Sequence, residues 1–318
     1  MVRAAALLAV LAAALPGAAS ASQLIDRNAS GVKLDVNRAG QALLTYRAGG
    51  RLKHVLVWGA VDARPPSATV PQVEFRVDYA GGWGAYRKLV WKGFRNVCKP
   101  YAGPQVAMLV TACTAPDGSY WAVQAWQRAL PDLGFTPWKP LQSSWELRIS
   151  HWTGPMAELD VHSNWVYNGR FQQLIGRLTY KGGPVHGIKT TSTGVPLDSY
   201  GRNLYLDTYD SVYGPGWRRE NGFVAHKPNG NFCYGFYPFR IGAYDHPKTI
   251  AASGLRGPGT GSRYRITVIG PGVTPDIAWE GQGLHPFDPG DPADVQLEQD
   301  GNALLDQLSA AERGCKQH

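Results

Sequence analysis

Three segments, residues 174–187, 227–238 and 262–269, alternate apolar and polar side chains, and this alternation constrains the fold more than any other sequence feature. A period of two residues is that of a β-strand with one buried face and one exposed face. The pattern predicts strands in all three segments, with Cys233 pointing away from the core. The side chains predicted to face the core are Leu178, Tyr180, Phe232, Tyr234, Phe236, Tyr264, Ile266 and Val268.

Two of these segments also contain turn signals. Gly182-Gly183 and Asn229-Gly230 are tight-turn signals, because glycine and asparagine tolerate a positive φ. Over roughly a third of the 318-residue chain the sequence resembles the transthyretin-like (carboxypeptidase regulatory-like) β-sandwich. Three motifs carry the resemblance: Gly176-x-Leu178-x-x-x-Gly182-x-Pro184-Val185-x-Gly187, Asn229-Gly230-x-Phe232-x-Tyr234 and Tyr264-x-Ile266-x-Val268. The resemblance implies a sandwich and an accessory, stabilising or adhesive role without catalysis, although the segments 190–222 and 239–261 are longer than that family's usual connections.

Residues 1–21 have the features of a signal peptide. Arg3 precedes an apolar run over residues 4–15, Pro16-Gly17 breaks it, and Ala19-Ser20-Ala21 matches a cleavage site. The apolar run is shorter than the roughly 20 residues that a membrane span needs, and no later segment reaches that length. The sequence therefore predicts a secreted or extracytoplasmic protein that starts near Ser22 and has no transmembrane segment.

Four cysteines in an exported chain predict two disulfides. Cys98 and Cys113 are close in sequence, and closing a loop of that size contributes about 3 kcal/mol in the chain-entropy model. Cys233 would then pair with Cys315, although three connectivities are open to four cysteines. None of the four has the spacing of a metal ligand, so we expect no metal site.

The net charge is +8, and it becomes +7 once Arg3 is removed with the leader. The basic residues are scattered, and the only adjacent pairs are Arg87-Lys88 and Arg218-Arg219. This distribution argues against nucleic-acid binding. It is compatible with a weak attraction to an acidic polymer of the cell envelope.

The predicted fold class is all-β, in four parts. A signal peptide (1–21) precedes an antiparallel β domain (22–168), a transthyretin-like sandwich (169–285) and a docked helical tail (286–318). Within the first domain, residues 145–150 and 157–162 predict a hairpin, residues 81–84 a loop, and residues 120–128 either a strand or a short helix. Asp291 suits an N-cap and Pro292 the first helical position. The tail's apolar stripe is Leu297, Leu304, Leu305 and Leu308.

No nucleophile elbow, phosphate loop, HExxH, CxxC or dinucleotide motif is present, so no cofactor is expected. Three sets of residues have side chains suited to catalysis or metal binding, but their spacing in the sequence does not by itself indicate a site. They are Glu158, Asp160 and His162 for acid–base or metal chemistry, Ser199, Asp207 and His226 for a triad, and residues 207–211 for calcium. For the first set the alternative is a solvated strand face, which is the norm in antiparallel sheets.

Aromatic residues give the stronger signal. In Tyr213-Gly214-Pro215-Gly216-Trp217-Arg218-Arg219, glycine and proline predict a loop that presents Trp217 beside two cations. A tryptophan next to arginine is common at recognition sites, and the alternative is a ring folded back onto the sandwich. Trp83, in its own glycine-rich stretch, has the same two interpretations.

These observations favour a non-catalytic exported protein that binds a carbohydrate or a partner in the cell envelope. The alternative is a secreted hydrolase of an extracellular polymer with its active site between the domains. A third hypothesis is a structural component of the envelope.

Overall fold

The computed structural model describes residues 22–62, 73–126, 145–166, 169, 171–185, 204–211, 214–219, 225–226, 231–236 and 261–308. In these ranges the protein is built from antiparallel β-sheets and one long helix near the C-terminus. The predicted all-β fold with a C-terminal helix is therefore confirmed.

The elements of the first half come in the following order. They are β1 (Gln23–Arg27), β2 (Ser30–Val36), β3 (Ala42–Ala48), β4 (Arg51–Gly59), β5 (Phe75–Asp78), helix α1 (Trp83–Tyr86), a 3-10 turn (Val90–Gly93), β6 (Lys99–Pro100), β7 (Leu109–Thr114), β8 (Tyr120–Trp126) and β9 (Glu146–Trp152). Those of the second half are β10 (Glu158–Val166), β11 (Phe171–Tyr180), β12 (Gly183–Pro184), β13 (Leu204–Ser211), β14 (Gly214–Arg219), β15 (Ala225–His226), β16 (Asn231–Phe236), β17 (Arg263–Val268), β18 (Ile277–Gln282) and helix α2 (Pro292–Leu308).

Two sheets enclose the first hydrophobic core. Sheet I has the strand order β1-β9-β8-β7-β6, and sheet II has the order β2-β3-β4-β5. Tyr46 from sheet II and Trp121 from sheet I are wholly buried in this core. Full burial of large apolar side chains stabilises a fold by about 1.5–3 kcal/mol each.

Residues 120–126 form a strand rather than a helix. Trp121 and Val123 face the first core, while Ala122 packs against Val106 and Trp152 on the opposite face of sheet I. Because both faces of β8 are covered, its sequence is apolar apart from Tyr120 and the buried Gln124, and it lacks the alternation of a half-exposed strand.

Two further sheets enclose the second core. Sheet III has the order β10-β11-β16-β15, with β12 paired to β11, and sheet IV has the order β14-β13-β17-β18. Six of the predicted inward side chains are buried there: Leu178, Tyr180, Phe232, Tyr264, Ile266 and Val268. The side chains of Tyr234 and Phe236 lie outside the described residues. The resemblance to the transthyretin-like sandwich stays a prediction.

The predicted hairpin of residues 145–150 and 157–162 is wrong. Strand β9 pairs with β1 and β8 in sheet I, whereas β10 pairs with β11 in sheet III. The chain bends at Gly154 and passes from the first sandwich to the second instead of returning to sheet I. The predicted domain boundary near residue 168 stays a prediction.

Buried hydrogen bonds join the two sandwiches. The Gln124 side chain on β8 donates to the carbonyl oxygen of Asp276 (2.9 Å) and accepts from its amide (2.8 Å). The Ser22 hydroxyl donates to the Asp276 carboxylate (2.8 Å), and the amide of His151 donates to the carbonyl oxygen of Val273. All these side chains are buried, so the junction excludes water.

Helix α2 docks on the outer face of sheet III. The Asp291 carboxylate accepts a hydrogen bond from the amide of Ala293 (2.8 Å), which confirms the predicted N-cap. Leu305 packs against Ile175 and Cys233, so Cys233 points away from the second core as predicted. Gly301 lies against Asn164 so closely that an added Cβ would collide with that side chain.

The predicted leucine stripe is only partly correct, because Leu297 is 41% exposed and does not belong to the docked face. Gly301, although glycine weakens a helix, permits the close approach of α2 to β10. None of the helices in the described ranges combines the length and hydrophobicity needed to cross a membrane. The predicted signal peptide lies outside those ranges and stays a prediction.

The Cys98–Cys113 disulfide is confirmed, with a sequence separation of 15 residues. Cys233 is also disulfide-bonded. Its predicted partner, Cys315, lies outside the described residues, so that pairing stays a prediction.

Candidate functional site

Trp83 lies on a short helix and not on the predicted loop. Helix α1 starts after Gly81 and Gly82, whose φ angles are +60° and +107°. The Asp78 carboxylate accepts hydrogen bonds from the amides of Ala80 and Ala85, both at 2.8 Å, and so holds the turn and the helix together. A Cβ at Gly82 would collide with Val90, so only glycine allows the helix to start this close to the following turn.

The chain that follows α1 is held against sheet II at several points. The Tyr86 hydroxyl accepts a hydrogen bond from Gln41 (2.7 Å), and the Trp91 ring stacks on His54 with centroids 4.2 Å apart. The side-chain oxygen of Asn96 accepts from the amides of Val36 and Cys98, both at 3.0 Å. We name residues 79–99 the basic segment; these contacts and the Cys98–Cys113 disulfide fix its shape.

The basic segment exposes large apolar side chains. Tyr79 is 59% exposed, Trp83 55%, Tyr86 40% and Leu89 38%. Single exposed apolar side chains are ordinary on protein surfaces, but four within eleven consecutive residues form a patch. Such a patch is typical of a surface that binds a partner or a ligand.

The same segment is strongly positive. It contains five basic residues and no acidic residue; the basic ones are Arg87, Lys88, Lys92, Arg95 and Lys99. The Lys92 ammonium lies 5.7 Å from the Trp91 ring centroid, close enough for a cation–π interaction. The nearest preceding acidic residue, Asp78, is buried, and its carboxylate accepts hydrogen bonds from two backbone amides.

A cavity of about 450 Å³ lies between the basic segment and the turn that joins β2 to β3. We call it the groove. Arg38 and Arg95 are exposed at its rim, while Val90, Phe94 and Val97 are half-buried. The remaining lining residues are Asn37, Ala39 and Gly93.

Trp217 belongs to strand β14, so its predicted placement on a loop is wrong. Its ring meets Tyr209 edge-on, with centroids 5.2 Å apart, and the guanidinium of Arg265 lies 4.5 Å from the Trp217 centroid. Arg263 also approaches this ring, at 5.2 Å. The cations beside Trp217 therefore come from β17, and the half-buried ring lies against the outer face of sheet IV.

The other residues of that candidate site are only partly described. Arg218 and Arg219 pair in register with Thr208 and Asp207, but their side chains lie outside the described residues. Tyr213 lies outside them as well. Whether Trp217 binds a ligand stays a prediction.

One cluster of catalytic residue types, which consists of Asp117, Ser119 and His151, was not identified from the sequence. The Ser119 hydroxyl lies 2.9 Å from Nε2 of His151 and 2.6 Å from the Asp117 carboxylate. Nδ1 of His151 lies 3.0 Å from the carbonyl oxygen of Gly59, and its ring stacks on Trp121 at 3.8 Å.

This cluster does not have the geometry of a nucleophilic triad. The carboxylate contacts the serine instead of the histidine, and Ser119 is only 1% exposed. Burial lowers the pKa of His151. Burial acts to raise the pKa of Asp117, but hydrogen bonds from Ser119 outweigh it and lower that pKa. The arrangement ties the β7–β8 turn to the end of β4.

The three chemical sets predicted from sequence gain no support. Nε2 of His162 lies 3.0 Å from the Asp160 carboxylate, and both side chains are exposed, as expected for a solvated strand face. Asp207 binds Arg265 (2.9 Å), and Asp210 accepts from the amide of Gly216 (2.6 Å), so both carboxylates already have partners within the chain. Within the described ranges no group of three His, Cys, Asp or Glu side chains could hold a metal ion. Ser199 and the His226 side chain lie outside them.

Comparison with protein-family models, with curated proteins and with solved structures found no match for this chain.

Proposed function

We propose that this protein is an exported, non-catalytic binding protein that recognises a polysaccharide through the basic segment. The observation that carries the proposal is Trp83. More than half of this side chain is exposed, although its backbone is fixed on α1 by Asp78 and by two glycines that pack against their surroundings.

A rigid, exposed indole suits a sugar ring as a ligand. The flat apolar face of tryptophan covers the C–H face of a sugar, and binding has to order only the two side-chain torsions because the backbone is already fixed. Tyr86 follows Trp83 by three residues on α1 and adds exposed aromatic surface on the same side of that helix. The Cys98–Cys113 disulfide is typical of an oxidising compartment, which supports export.

The experiment is a binding screen of the mature protein, residues 22–318, against immobilised neutral and acidic polysaccharides. We expect Trp83→Ala to weaken retention by at least about tenfold, as is common for a central aromatic residue of a binding surface. Because Trp83 is exposed, the variant should lose less than about 0.5 kcal/mol of stability.

The matched control is Trp145→Ala. Trp145 is 51% exposed but lies next to β9 and outside the basic segment. The control should bind like the wild type. Equal losses in both variants, or no retention of any polysaccharide by the wild type, would contradict the proposal.

We do not advance the hydrolase alternative. The one cluster of serine, histidine and aspartate that the described part of the chain brings together is buried and has the wrong connectivity.

A further inference from the structure

The groove beside the basic segment carries an inference about the class of polysaccharide. We propose that the groove is a subsite for an anionic group on the sugar chain, held by Arg38 and Arg95, so that the ligand is an acidic polysaccharide. The inference rests on the proposed function and deepens it.

The groove has the size and composition of a ligand site. Its volume of about 450 Å³ lies within the roughly 300–1,000 Å³ typical of small-ligand pockets. Val90, Phe94 and Val97 give it apolar surface, while Asn37 and the two arginines supply polar groups. A sugar that carries one anionic substituent presents the same combination of apolar C–H surface and localised charge.

The two arginines are available to an incoming anion. No acidic residue lines the groove, and in the part of the chain that the structure describes neither Arg38 nor Arg95 forms an ion pair. A guanidinium binds a carboxylate, sulfate or phosphate through charge-assisted and often bidentate hydrogen bonds. The other cations of the basic segment add a positive field that attracts the same ligands.

The walls of the groove are fixed before any ligand arrives. The Asn37 side-chain oxygen accepts from the amides of Ala39 and Gln41, both at 3.0 Å, which closes the β2–β3 turn. On the opposite wall, the amide of Val97 donates to the carbonyl oxygen of Val36 (2.8 Å). Such preorganisation reduces the entropy lost on binding.

The groove and the aromatic surface are connected. Asn37 donates to the side-chain oxygen of Gln41 (2.9 Å), and Gln41 donates to the Tyr86 hydroxyl (2.7 Å). Gly82, which precedes Trp83, packs against Val90 in the groove lining. In the proposed arrangement one sugar chain spans both surfaces, with a ring on Trp83 and an anionic substituent at the arginines.

The test compares the mature wild type with Arg38→Gln combined with Arg95→Gln. The probes are polygalacturonate, which carries carboxylates, dextran sulfate, which carries sulfates, and unmodified dextran. We expect binding of at least one acidic polymer to fall by about tenfold or more in the variant and to lose part of its salt dependence. Whichever of the two acidic polymers responds identifies the anionic group. Residual binding to dextran should not change.

The control removes the same charge elsewhere on sheet II. Arg47 and Arg51 are exposed at the β3–β4 hairpin, which β3 separates from the groove by roughly 20 Å of strand. Arg47→Gln combined with Arg51→Gln should bind acidic polymers like the wild type. An equal loss in the control would show that only net charge matters and would overturn the inference.

Two further results would overturn it. One is unchanged binding of both acidic polymers when Arg38 and Arg95 are replaced. If Trp83→Ala still weakened binding in that case, the proposed function would stand and only the groove inference would fail. The other is tighter, Arg38- and Arg95-dependent binding to duplex DNA or to phosphatidylglycerol vesicles. Conversely, dependence on the arginines without dependence on Trp83 would support the groove and contradict the proposed function.

Discussion

Replacing Gln124 with leucine should destabilise the junction between the two sandwiches. Gln124 is fully buried, and its amide group makes three hydrogen bonds. Its nitrogen donates to the carbonyl oxygens of Ala107 (2.6 Å) and Asp276 (2.9 Å), and its oxygen accepts from the Asp276 amide (2.8 Å). Leucine is of similar volume but can replace none of these bonds.

The expected magnitude follows from the groups left behind. The substitution removes a partner from three backbone groups, and each buried polar group without a partner costs about 1–3 kcal/mol. Local relaxation and the apolar surface of leucine offset part of this sum, so we expect a loss of about 3–5 kcal/mol in the free energy of unfolding. For a chain of this size that corresponds to a fall of about 5–8 °C in the melting temperature.

The assay is urea unfolding of the wild type and of Gln124→Leu, followed by tryptophan fluorescence. Gln296→Leu is the control, because Gln296 is exposed on α2 and bonds only Asp300 (2.8 Å). The control should change stability by less than about 0.5 kcal/mol. A loss below about 1 kcal/mol for Gln124→Leu would refute the reasoning, because it would mean that water or neighbouring groups replace all three hydrogen bonds.

Three further outcomes are expected. First, burial lowers the pKa of His151 in the folded state, so its contribution to stability is present above the unfolded-state pKa of about 6.5 and is lost as the pH falls through the folded value. In His151→Gln the melting temperature should therefore change less between about pH 5 and 7 than it does in the wild type. Second, Gly176→Ala should cost about 2–3 kcal/mol in urea unfolding, because the new Cβ would collide with the carbonyl oxygen of Asp160, whereas at Gly183 the nearest atom is 3.6 Å away and alanine should cost little. Third, replacing both Cys98 and Cys113 with alanine should lower stability by about 3 kcal/mol, and a change under about 1 kcal/mol would show that the loop is held by other contacts.

Where one face of a strand is exposed, the sequence was sufficient to predict both the strand and its inward side. Tyr264, Ile266 and Val268 are examples, since each alternates with a polar neighbour and each is buried in the second core. The N-cap at Asp291 was equally visible, because capping depends on residues adjacent in sequence. Strand alternation and helix capping depend on residues that are close in sequence, so a single sequence is enough to predict them.

Which strands pair with each other could not be predicted from the sequence in the same way. The turn between β9 and β10 has the residues of a hairpin, yet β10 gains its partner from β11, because only that pairing buries Val161 in the second core. Pro215 suggested a loop, but β14 lies at the edge of sheet IV, where a residue without an N–H group is tolerated. Such choices depend on packing between distant segments.

Only part of the candidate site could be predicted from the sequence, because the rest depends on packing between distant segments. Trp83 was identified from its glycine-rich context, but the groove combines the β2–β3 turn with residues 90–97, and no sequence pattern joins the two. In the sequence, the charge of the basic segment is carried by the pair Arg87-Lys88 and by three single residues, which form no longer basic run. Its significance depends on the fold, which places the segment on sheet II with Asp78 buried beneath it.

Polar and aromatic residues are used differently in this protein, and the difference favours binding over catalysis. His151 and Ser119 are 3% and 1% exposed, and their hydrogen bonds hold strands together, so they contribute to stability and are inaccessible to a substrate. Trp83 adds little to any core, yet the chain positions it with two glycines in positive-φ conformations, which are entropically costly. The glycines themselves are buried against Trp91 and Val90, but the indole that follows them keeps an apolar surface that folding does not bury. Contact between this exposed ring and a ligand would bury that surface.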